Sequence, residues 1–222
     1  MGSLIDIRRR MMETNVLPPK YKRVEYLQTV GTESYIDTGV AGDDDTIQMD
    51  FTLEALSKGS YANILGNHDT EDKTCWRFIQ GGASFLNRFN LTLNYRMASG
   101  SPSLTITELD TIVNHKIQIH MEYEYAYALY NGTKYDVVQS TTAPAEKSTL
   151  NIAIGRASPQ KTGSSTAPSH RFYDSFKIHK QGKLIRNYIP CYRKSDNKSG
   201  FYDIVNHTFN PSTGASDFIL PS

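Results

Sequence analysis

Two carboxylates, Glu122 and Glu124, stand two residues apart in a stretch of alternating side chains, and that spacing puts both on one face of one strand. Glycosidic cleavage asks for such a pair, one acid to protonate the leaving oxygen and one carboxylate to attack or to activate water. Like charges at this spacing are also the ordinary make-up of a solvated strand face, and no third acid follows in Glu122-Tyr123-Glu124-Tyr125-Ala126. The acidic runs Asp43-Asp44-Asp45 and His68-Asp69-Thr70-Glu71-Asp72 offer oxygen atoms to a hard cation, yet neither has EF-hand spacing. Histidines at 68, 115, 120, 170, 179 and 207 lack metal-ligand spacing, so no metal site is assigned. No phosphate loop, Cys-x-x-Cys pair or Gly-x-Ser-x-Gly elbow occurs, and the chain reads as a non-enzyme with no catalytic residue.

Sugar binding has a different signature, an aromatic shelf for the apolar face of a pyranose and planar polar groups for its hydroxyl rim. Trp76 with Arg77, and Asn87 with Arg88 in the segment GGASFLNRFN, are the residues that fit it. The competing role for a lone Trp in a strand is to fill the core.

These residues need a scaffold, and the pattern is that of strands. Ile47, Met49, Phe51 and Leu53 alternate with polar residues, as do Leu91, Leu93 and Tyr95, and Leu150, Ile152 and Ile154. The longest alternation runs over residues 116–130, with Ile117, Ile119, Met121, Tyr123, Tyr125, Tyr127 and Leu129 on one face and Gln118, His120, Glu122 and Glu124 on the other. Asn131-Gly132 then turns the chain back. Residues 172–179 and 184–189 flank Gln181-Gly182 as a second hairpin, which Pro190 should end because it has no N–H for a ladder. A loop over residues 157–170 precedes it, and a run of turn formers, a short strand and residues 206–210 follow it. With 14 Tyr, 9 Phe and no helical periodicity past Pro18-Pro19, an all-β, antiparallel two-sheet jelly-roll sandwich follows, in one domain over residues 18–222.

The strings KLIRNYIPCYRKSDNKSGFYDIVNHTF, EYLQTVGTESYIDTGV and LNIAIGR resemble the closing, opening and central strands of LamG-like, concanavalin A-type sandwich domains found in phage and prophage virion proteins. The resemblance spans about residues 21–210. It implies the same sandwich, a calcium ion at the sandwich edge as the single cofactor candidate, and a virion structural protein of head or tail fibre that displays a lectin-like surface to host glycans. A free-standing carbohydrate-binding adhesin is the alternative. Glycoside hydrolases on this sandwich carry Glu, any residue, Asp, then a further Glu, and this chain lacks the central Asp and the third acid.

Residues 1–17 form a separate basic leader, in which Leu4, Ile7 and Met11 make a short apolar stripe beside Arg8, Arg9, Arg10 and Met12. Its expected role is to anchor the domain to other virion proteins. Residues 1–23 hold six Lys or Arg against Asp6 and Glu13, so the slight acidic excess lies in the sandwich and nucleic acid is not an expected partner. No apolar run is long enough to span a bilayer. The two cysteines, Cys75 and Cys191, make no disulfide scaffold, and no secretory signal precedes the arginines, so assembly in a host cytoplasm into a virion, as a homo-oligomer, is the expectation.

Overall fold

Apolar side chains at every second position make strands, and strands with one apolar face must stack face to face. The computed structural model describes residues 16–57, 62–68, 76–80, 90–94, 103–105, 113–122, 125–138 and 148–222, and these contain no helix. In chain order the strands are β1 (Tyr21–Arg23), β2 (Tyr26–Gln28), β3 (Ile36–Ala41), β4 (Ile47–Ala55), β5 (Ala62–Gly66), β6 (Arg77–Gln80), β7 (Asn90–Asn94) and β8 (Ser103–Thr105). They continue with β9 (Lys116–Glu122), β10 (Tyr125–Tyr130), β11 (Thr133–Val138), β12 (Asn151–Ile154), β13 (His170–Lys180), β14 (Lys183–Arg193), β15 (Lys198–Asp203) and β16 (Thr208–Pro211). A ten-stranded sheet runs β11-β10-β9-β4-β13-β14-β15-β16, with β1 on β14 and β2 on β13; a six-stranded sheet runs β3-β12-β5-β6-β7-β8. All pairings are antiparallel, so the chain is the expected jelly-roll sandwich.

Turn chemistry fixes two hairpins as read. Gln181 and Gly182 have φ of 53° and 71°, and Asn131 and Gly132 of 47° and 76°. Positive φ at both central residues matches the twist of the flanking strands, which is why Gly and Asn occupy such turns. Pro190, however, does not end its strand, since β14 continues to Arg193. Its carbonyl accepts from the Val24 amide at 3.1 Å, just beyond the last β1 pair, Arg23 with Cys191. The N–H and C=O of a strand residue point to the same neighbour, so the missing donor falls past the end of β1 and the β15 ladder is unbroken.

The long alternation is also broken. Residues 116–130 are two strands, with Glu122 opposite Tyr125, His120 opposite Tyr127 and Gln118 opposite Leu129. A tight hairpin pairs i with i+3 and so exchanges odd and even positions. Tyr125 and Tyr127 therefore share the outer face with His120 and Glu122, while Ala126 and Ala128 are buried in line with Met121 and Ile119. Tyr123 and Glu124 lie outside the described residues.

The core fills the space between the sheets. Phe51 and Phe176 from the larger sheet stack at 4.8 Å, and Phe78 from the smaller one meets Phe51 edge-on at 5.7 Å. Trp76 belongs to the same cluster and is 0% exposed. A polar clasp ties the two layers: Gln80 on β6 donates to the Ser57 carbonyl at 2.7 Å, and its Oε1 lies 2.6 Å from His170 Nε2 on β13. Because the Gln80 amide nitrogen is spent on Ser57, its oxygen must accept, which places the imidazole proton on Nε2. Complete burial pushes the His170 pKa down to about 3. Beside β14 and β15, Asp203 is buried and accepts from the Asn187 and Val205 amides, both at 3.0 Å, and from Asn206 at 2.6 Å, which closes the C-terminal turn.

Candidate functional site

The outer face of the ten-stranded sheet divides into a covered half and an open half. On the covered half β2 pairs with β13 in the plane of the sheet, and the outward side chains pack over one another. There buried Glu54 accepts from Tyr173 and, at 3.3 Å, from Arg171, while Arg171 rests 4.5 Å over the Tyr26 ring. Desolvation, then the hydrogen bond to Glu54, raises the Tyr173 pKa, so this cluster is a neutral-phenol clamp and not a source of protons.

The open half gathers β4, β9, β10 and β13. Alternation on β4 sends Gln48 and Asp50 outward between buried Ile47, Met49 and Phe51, and alternation on β9 does the same for His120 and Glu122. Asp50 and His120 are cross-strand partners, and Asp50 Oδ1 lies 2.7 Å from His120 Nδ1. His179 Nδ1 stands 3.7 Å from the second Asp50 oxygen, and Glu122 stands 3.8 Å from His120 Nε2 while accepting from Gln48 Nε2 at 2.9 Å. The hydrogen bond from His120 holds the Asp50 carboxyl below the usual carboxylate range, and the same bond raises the His120 pKa above its ordinary value.

Aromatic rings complete the surface. Tyr127 stacks on the His120 imidazole at 4.9 Å and 22°, and Tyr125 lies 5.7 Å from Tyr127. Lys134 from β11 reaches over both phenol rings, 5.0 and 4.6 Å from their centres, and donates to the Tyr125 hydroxyl. A bulge in β13 opens the floor: Tyr173 pairs with Thr52 but Lys177 with Asp50, so β13 carries extra residues, and Asp174 takes φ 55°. Asp50, His120, Tyr127, Asp174, Ser175 and Lys177 are among the walls of the resulting cleft, about 190 Å³. The arrangement supplies an oriented imidazole, an aromatic shelf and a lysine in one open groove.

Of the residues expected from sequence to bind a saccharide, Trp76 and Arg77 are described, and they do not form a binding shelf. Trp76 is a core residue and offers no shelf to a saccharide, because its whole side chain is enclosed between the sheets. Arg77 is half-buried on the other sheet, where its Nε donates to Asn63 at 2.8 Å. Asn87 and Arg88, the leader residues Leu4, Ile7, Arg8, Arg9, Arg10, Met11 and Met12, and Cys75 all lie outside the described residues. Asp44 is committed to its own turn, accepting from the Thr46 hydroxyl at 2.5 Å and pairing with Lys180 at 2.9 Å, and its pKa falls to about 2. Among the described residues no group of three or more His, Cys, Asp or Glu side chains is placed to hold a metal. Cys191 is buried, and desolvation pushes its thiol up to about 12.

No protein-family model matches the chain, and no curated protein matches it. The fold is similar to solved alginate lyases. One from Alteromonas sp. 272 is 12% identical, over 70% of this chain and 75% of that one, with a TM-score of 0.37. A polysaccharide lyase of family 18 is 13% identical over the same shares, with a TM-score of 0.36. A substrate-bound family 7 alginate lyase is 12% identical over 64% of this chain and 62% of that one, also at 0.36. At these identities the likeness is one of fold. The expectation of a non-enzymatic virion protein is corrected to this extent: the solved structures named here are polysaccharide lyases and not virion proteins.

Proposed function

We propose that the open half of the ten-stranded sheet is a catalytic groove that cleaves an acidic polysaccharide by β-elimination. The observation that carries this reading is the Asp50–His120 pair at 2.7 Å beneath a stacked Tyr127. Neutral His120 donates its Nδ1–H to Asp50 and keeps the Nε2 lone pair as a base. It takes the proton α to a uronate carboxylate, and that electron pair forms the new double bond as the C–O bond to the next sugar breaks. A phenol of Tyr125 or Tyr127 returns a proton to the leaving oxygen. Lys177, a neighbour of Asp50, balances the carboxylate charge that grows in the transition state. Tyr127 and Tyr125 stack on the apolar faces of the sugar rings.

Hydrolysis is the poorer fit. It needs a carboxylic acid kept protonated near neutral pH, whereas Asp50 is held ionised by His120. The test is incubation with a panel of uronate-containing and neutral polymers, followed by the near-ultraviolet absorbance of newly formed unsaturated ends. The expected result is release from a uronate polymer that His120→Asn abolishes. Binding of such a polymer without cleavage, or cleavage that His120→Asn leaves intact, counts against the reading.

A further inference from the structure

The opposite sheet carries a second cavity, unconnected with the groove and built from different elements. It lies where β5, β6 and β12 end and the turn before β3 meets the loop after β12, and it measures about 380 Å³. Arg77, Arg156, Lys161 and His68 supply its ionisable lining, with Asn63, Thr32 and Thr162 as neutral polar groups; none of the described lining residues is a carboxylate. Arg156 is 8% exposed, its guanidinium lies 4.3 Å over the Tyr35 ring, and its Nε has no acceptor among the described residues. A cation enclosed to that degree with an unused N–H is costly unless an anion completes it.

Close backbone packing fixes the walls of the cavity against one another. Gly31 sits at φ 52° with its Cα against the Ser164 and Ala167 carbonyls, where a Cβ would lie 2.1 Å from the Ser164 oxygen. Thr32 clamps the facing loop through its amide to the Ser164 carbonyl at 2.9 Å and through its hydroxyl, which accepts from the Ser164 amide at 2.8 Å. Gly155, at φ 103°, packs equally closely on the Ser34 carbonyl and sends the chain into Arg156. Desolvation lowers the Arg77 and Arg156 pKa values, as expected for guanidinium groups removed from water.

We infer that this cavity binds an oxyanion, a carboxylate or phosphate, carried on a small hydroxylated molecule such as a sugar acid or sugar phosphate. The planar Arg156 fork and Lys161 take the anion, and the hydroxyl and amide groups of Thr162 and Asn63 suit the rest of the ligand. The cavity volume is in the range of small-molecule sites.

Isothermal calorimetry on the full chain with glucuronate, glucose 6-phosphate, inorganic phosphate and glucose, at ionic strength matched with sodium chloride, tests it. Binding of glucuronate alone identifies the carboxylate, binding of the phosphates alone identifies the phosphate, and glucose should give no heat. Arg156→Gln is expected to weaken the anion by roughly tenfold or more, the loss of one charge-assisted hydrogen bond. Since Arg156 is enclosed, Lys161→Gln, at a half-buried position on the loop after β12, is the second variant and should weaken it several-fold with little change in melting temperature. No anion heat above the chloride control, equal binding of glucose, or affinity untouched by both variants overturns the inference. Because the read-out is binding at the other sheet, His120→Asn should leave it unchanged, so it stands or falls apart from the cleavage reading.

Discussion

Replacing Asp50 by Asn keeps the shape of the groove and removes one charge. At about 3 Å a charge pair is worth about 1.4 kcal/mol in bulk water and about 5.5 kcal/mol at an effective dielectric of about 20. The Asp50 side chain is 41% exposed and the His120 side chain 18% exposed, so solvent screening places the stability cost at the low end, about 1 kcal/mol. For a chain of this size that is about 2–4 °C in melting temperature. The pH dependence follows from the two shifts. His120 is raised, so its share of the stabilisation is full below its unfolded value and is lost as pH rises through the folded value; Asp50 is lowered, so its share is present above its unfolded value and is lost as pH falls through the folded one. The penalty of Asp50→Asn is therefore largest between about pH 4 and about pH 6.5 and fades above.

Activity should respond far more strongly than stability. An Asn amide can turn its NH₂ to His120 Nδ1 and hold the proton on Nε2, the atom that must act as base, which points to a loss of about 10²–10⁴ in kcat. The residual activity should appear from a lower pH than in the wild type, because the carboxylate no longer raises the imidazole. The assay is a pH series of kcat on a cleaved uronate polymer beside thermal melts of both proteins. A fall in kcat below about threefold, or an unmoved acidic limb, would refute the role given to the Asp50–His120 bond.

Tyr127→Ala should raise KM on the same polymer by about tenfold through loss of the stacking shelf, with a melting temperature near that of the wild type; equal KM sinks the shelf. Phe176→Ala, which removes the ring stacked on Phe51 at 4.8 Å, should cost about 3–5 kcal/mol by denaturant titration. Buried His170, with a pKa near 3, stays neutral while the unfolded chain takes up a proton, so stability is full above about pH 6.5 and falls by up to about 1.4 kcal/mol per pH unit below it. His170→Gln should flatten that acid limb even though the variant is the less stable protein on the alkaline side.

Much of the frame was legible because turn chemistry is local. Gln181-Gly182 and Asn131-Gly132 announce their hairpins, and the alternation of Ile47 to Leu53 gives the burial of β4 residue by residue. The groove was less legible: Tyr123 and Glu124, between β9 and β10, include no Gly, Pro or Asn, so the alternation reads through them unbroken and assigns Tyr125 and Tyr127 to the wrong face. Once the parity change is seen, those rings join His120, and Asp50 arrives from a strand some seventy positions away. No spacing rule in one segment encodes that meeting. Pro190 misled in the opposite direction, since whether its lost N–H matters depends on where β1 ends.

Mass spectrometry of the fragments released from a purified uronate polymer tests the central claim most directly. Elimination by His120 predicts fragments whose new non-reducing ends are each lighter by one water than a hydrolytic product, formed by the wild type and absent with His120→Asn. Fragments that carry the added water, or a polymer recovered intact at every pH, would contradict it.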